Sequence, residues 1–72
     1  MEKKDVFDLL ERKMKFHEEQ MNQYSDEVTK VVDQEGEVAL TCDYVMHRRL
    51  MTQYHRGSWT VLRDLKNSLE KM

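Results

Sequence analysis

The stretch FDLLERKMKFHEEQMNQYSDEVTKVV, residues 7–32, decides the fold. Within it Phe7, Leu10, Met14, His17, Met21, Tyr24, Val28 and Val31 recur at alternating spacings of three and four. That period belongs to a helix laid along another helix, with one apolar seam facing a partner. A strand would alternate every second residue, whereas the positions between the seam residues here are mostly Asp, Glu, Lys, Arg and Gln. Working outward from this stretch, Asp5 is the expected N-cap, helix 1 covers about residues 6–34, and Gly36 is suited to a left-handed C-cap in a turn at about 35–37.

Beyond the turn a second series appears at Leu40, Tyr44, His47, Met51, Tyr54, Ser58, Val61, Leu65, Ser68 and Met72, again alternating four and three. With no proline and only Gly36 and Gly57 as glycines, little interrupts helical propensity. The expected architecture is all-α and single-domain, a long antiparallel helical hairpin with helix 2 at about 38–72. If Gly57 ends a helix and Ser58 caps the next, a three-helix bundle replaces it. A tight turn at Gly36 pairs residues whose numbers add to about 71 or 72, setting His17 opposite Tyr54 or His55. A connection running on to Thr41 slips every pair by about one turn.

At 72 residues the chain holds one small core, which rarely contributes more than about 3–5 kcal/mol without disulfides, metal or assembly. The single cysteine, Cys42, excludes an internal disulfide, and the charged start Met1–Lys4 reads as no signal peptide, so a cytoplasmic, reducing setting is expected. Assembly is left as the source of stability. Helix 2 carries Val38, Ala39, Val45, Met46, Leu50, Trp59, Leu62 and Leu69 outside its seam, more apolar surface than one neighbour needs. A homodimer forming a four-helix bundle would hide it. Residues 1–37 hold eleven acids and six bases, residues 38–72 three acids and six bases, so the two halves carry −5 and +3 and attract each other or each other's copies.

This inventory points to a non-enzymatic coiled-coil-like module for protein–protein interaction, acting as an adaptor, inhibitor or regulatory subunit. The expected partner-binding residues are Met46, Leu50, Trp59, Leu62 and Leu69, with Arg49, Arg56 and Arg63, one every seven residues, setting orientation. The alternative is a small dimeric nucleic-acid-binding regulator that uses the same arginines against phosphates. No membrane association is expected, because no apolar run approaches the length of a bilayer span. Asp43 and His47 lie four apart, but no nucleophile is set beside them, and no glycine-rich phosphate loop or paired-cysteine motif occurs, so no enzyme activity and no cofactor are expected. His17 with Met14, Met21 and Met51 could in principle hold a soft metal. Methionine at helical spacing is the usual core filler, so no metal site is expected. His17 in the seam is instead a candidate pH sensor, since a charged imidazole loses packing there.

Overall fold

A computed structural model describes residues 2–71, so Met72, the last member of the second series, lies outside the described residues. Helix α1 spans Lys3–Glu35, a 3₁₀ turn spans Glu37–Thr41, and helix α2 spans Asp43–Glu70. The two helices lie against each other as a hairpin 50 Å long and 15 × 14 Å across. Helix α2 runs without interruption through Gly57, so the three-helix alternative is not adopted.

Helix α1 begins earlier than the N-cap reading of Asp5 required. Glu2 is extended and its carbonyl accepts the amides of Asp5 and Val6 at 3.0 and 3.3 Å, while no side chain caps the end. Asp5 sits inside the first turn, where its charge favours the helix dipole. At the other end Gly36 ends the helix as expected but not as a left-handed cap. With φ 79° and ψ −174° it takes an extended, positive-φ conformation open essentially to glycine alone, and its amide donates to Val32 O at 2.8 Å.

The connection is longer than a turn at 35–37. Ala39 donates to Gly36 O and Cys42 to Ala39 O, both at 3.0 Å, and the Thr41 hydroxyl donates to Val38 O at 2.7 Å. Thr41 therefore does not cap α2, which instead starts from extended Cys42 with no side-chain cap. The longer connection does not move every pair. Glu27 meets Arg48 and Glu11 meets Lys66 through long side chains, pairs whose numbers add to 75 and 77, while His17 meets His55, a pair that adds to 72.

The seam of α1 is as read from the sequence. Leu10 is buried and Phe7, Met14, His17, Met21, Tyr24, Val28 and Val31 are half-buried. The seam of α2 is not. The side facing α1 is Val45, Arg48, Thr52, His55, Trp59, Leu62, Lys66 and Leu69, each one residue beyond the expected series. One residue turns a helix by about 100°. The cause lies in the turn: the tight 3₁₀ coil buries Ala39 and leaves Leu40 exposed, and restarting the helix after extended Cys42 drives Val45 completely inside. Arg48 and Lys66 tolerate inward positions because their stems cover apolar surface while their heads reach Glu27 at 3.1 Å and Glu11 at 3.0 Å.

This core is thin. Among the described residues only Leu10, Ala39, Val45 and His55 are buried. The accessible surface is 5593 Å², against about 4,800 Å² for a compact monomer of this mass. The radius of gyration is 16.0 Å, against about 11 Å for a compact domain of this length.

Candidate functional site

Turning α2 by one residue exchanges its faces. Tyr54, Val61 and Leu65, expected in the seam, are 61%, 66% and 47% exposed, and they join Met46 at 50% and Leu50 at 63%. With Gly57, these residues follow one another at spacings of four, four, three, four and four, so they form a continuous ridge along the outer side of α2. From Met46 to Leu65 the ridge is about 28 Å long at the helical rise.

The residues expected to dock therefore divide. Met46 and Leu50 stand on the exposed ridge, whereas Trp59, Leu62 and Leu69 are half-buried on the side towards α1. Tyr54, Val61 and Leu65 belong to the exposed face and sequence reasoning assigned them to the seam. The competing heptad starting at Val45 is equally regular but carries Arg48, Thr52, His55 and Lys66, so apolarity alone favoured the wrong stripe.

The arginines also divide. Arg63 lies over the Trp59 ring, 5.3 Å from its centroid, and contacts Asp64 at 3.3 Å. Arg49 and Arg56 are exposed, form no ion pair among the described residues, and line a shallow groove with Ser25, Val28, Thr52 and Gln53. Arg48, not one of the expected residues, is the clamped one. It lies 3.9 Å from the Tyr44 ring centroid and donates to Glu27, and these partners hold its proton more firmly than usual against the opposing cost of burial.

Between the helices His17 and His55 meet, as the sequence pairing of His17 with Tyr54 or His55 anticipated. Their Nδ1 atoms are 2.7 Å apart, so one ring donates its N–H and the other accepts. His55 is buried, stacked on Tyr24 at 5.9 Å and met edge-on by Tyr54 at 5.0 Å, and Phe16 presents its edge to both imidazoles. Burial, then the neighbouring His55, then Lys13 push the His17 pKa below its ordinary value. No carboxylate is among the groups acting on it. Two imidazoles sharing one metal ion bind it at about 2.0–2.1 Å each, so nitrogens at 2.7 Å form a hydrogen-bonded pair with little space for an ion between them. Among the described residues no three His, Cys, Asp or Glu side chains gather into a metal-binding group.

Among the described residues no helix is long and apolar enough to cross a membrane. Comparison with protein-family profiles, curated proteins and solved structures finds no match to this chain.

Proposed function

We propose that this chain is a non-enzymatic interaction module, an adaptor, inhibitor or regulatory subunit, that works by docking the outer face of α2 and first of all docks a second copy of itself. The observation that carries this reading is the exposed ridge Met46–Leu50–Tyr54–Val61–Leu65 on a helix whose other side is already occupied by α1. The rod-shaped hairpin exposes about 800 Å² more than a compact monomer of its mass, surface that assembly can cover. A thin core supports the same reading, because a chain this small gains stability by assembly. The two imidazoles engage each other and are packed among aromatic rings, an arrangement suited to holding the hairpin together and not to proton transfer with a substrate. The single exposed thiol, Cys42, suits a reducing compartment such as the cytoplasm.

Light scattering tests the reading. The wild-type mass should be twice the chain mass of 8.8 kDa, and Val61→Asp should return it to that of one chain with helical circular dichroism retained. A wild-type mass of one chain at high concentration would refute self-docking. Arg49 and Arg56, without an ion-pair partner among the described residues, favour a second reading, in which the groove beside the ridge holds a phosphate backbone. Affinity for an RNA or DNA oligonucleotide that falls steeply with salt and is lost in Arg49→Glu with Arg56→Glu would support it. No binding at low salt would remove it.

A further inference from the structure

The outer face of α2 is complementary to itself when reversed. The ridge Met46, Leu50, Tyr54, Gly57, Val61, Leu65 has spacings of four, four, three, four, four, which read the same in either direction. We infer that two copies pair through α2 in antiparallel orientation, about a two-fold axis between residues 55 and 56, with Tyr54 of each copy covering Gly57 of the other. This rests on the self-docking reading above and adds its geometry.

Three observations support it. In the reversed register residue numbers add to 111, so Leu50 faces Val61, Met46 faces Leu65 and Tyr54 faces Gly57, each exposed apolar group meeting another or meeting bare backbone. Polar groups agree as well: the same register sets exposed His47 against exposed Asp64. A parallel pairing would instead stack Asp64 on Asp64, and like charges directly opposed cost specificity and affinity. Finally, Gly57 lines a groove beside His17 and Lys13, yet nothing packs close against it there. It lies mid-helix, where glycine is less favourable than alanine, and a Cβ built on it would meet nothing within 4 Å. A missing side chain beside Tyr54 at the centre of a symmetric ridge is explained by close approach of a second helix at that point.

Cysteine cross-linking in a Cys42→Ser background tests the register. Chains carrying Leu50→Cys should form a disulfide with chains carrying Val61→Cys when the two are mixed, because these positions oppose each other. Neither variant should cross-link with itself, since like positions are then offset by eleven residues, about 16 Å along the helix. Gly57→Leu should weaken dimerisation at least tenfold with helicity intact. Self-linking of Leu50→Cys, or a dimer that links in no mixture, would overturn the antiparallel register while leaving self-docking in place. A wild-type mass of one chain would remove both. All four substitutions fall on exposed positions, so circular dichroism separates lost pairing from lost folding.

Discussion

Acid should open this hairpin through one contact, the His17–His55 pair. With both rings neutral, one N–H···N bond of 2.7 Å joins the helices. A first added proton can be shared within that bond; a second makes two cations. At the observed ring separation of 5.0 Å, Coulomb's law with an effective dielectric constant of about 20 gives about 3 kcal/mol of repulsion. The lost hydrogen bond adds about 1 kcal/mol. The neighbours do not relieve this: Phe16, Tyr24 and Tyr54 are uncharged, Lys13 adds positive charge, and no carboxylate acts on His17. The unfolded chain takes up its imidazole protons at about pH 6.5, whereas folded His17 resists protonation. Stability is then fully present above about pH 6.5 and is lost as pH falls below it. Linkage limits what is lost by about pH 5 to about 1.4 kcal/mol for each pH unit below about 6.5, or about 2 kcal/mol for one imidazole that stays unprotonated. That is a large part of what a domain this small possesses.

The assay is urea unfolding followed by helical circular dichroism at about pH 7.5 and about pH 5. The wild type should lose roughly half of its unfolding midpoint across that interval. His17→Leu should lose much less, and His47→Gln, at an exposed position, should follow the wild type. Carboxylates titrate alike in all three chains and cancel from the comparison. Equal pH dependence in wild type and His17→Leu would refute the reasoning.

Two further substitutions test the rotated face of α2. Val45 is fully buried and Val61 is 66% exposed. Val45→Ala should therefore cost about 2 kcal/mol and lower the melting temperature by roughly 10 °C, while Val61→Ala, measured on dilute protein, should change stability by less than about 0.5 kcal/mol; equal effects would show that the face is misassigned. Leu62→Asp puts an unpaired charge against α1 and should abolish helical circular dichroism at neutral pH, whereas Val61→Asp, one residue away, should keep it and lose only assembly. A folded Leu62→Asp hairpin would contradict the packing described.

Much of the fold is legible in the residues. The heptad of α1 alone requires a helix covered along one side, Gly36 marks where it ends, and the absence of proline lets a second helix run to the far end of the hairpin. The meeting of His17 with His55 also followed from pairing the two helices across one turn. The face of α2 did not follow. Two heptads one residue apart, one through Tyr44, Tyr54, Val61 and Leu65 and one through Val45, His55, Leu62 and Leu69, are both regular, the second interrupted by Arg48, Thr52 and Lys66, and a period specifies a stripe without choosing between adjacent stripes. That choice was made by the connection. A 3₁₀ turn that buries Ala39 and an extended residue at Cys42 determine the rotation at which α2 begins, and twenty-eight helical residues then carry that rotation to the other end of the molecule. The periodicity of the chain determined that there is a hairpin; the backbone of six residues at its tip determined which side of it is left for a partner.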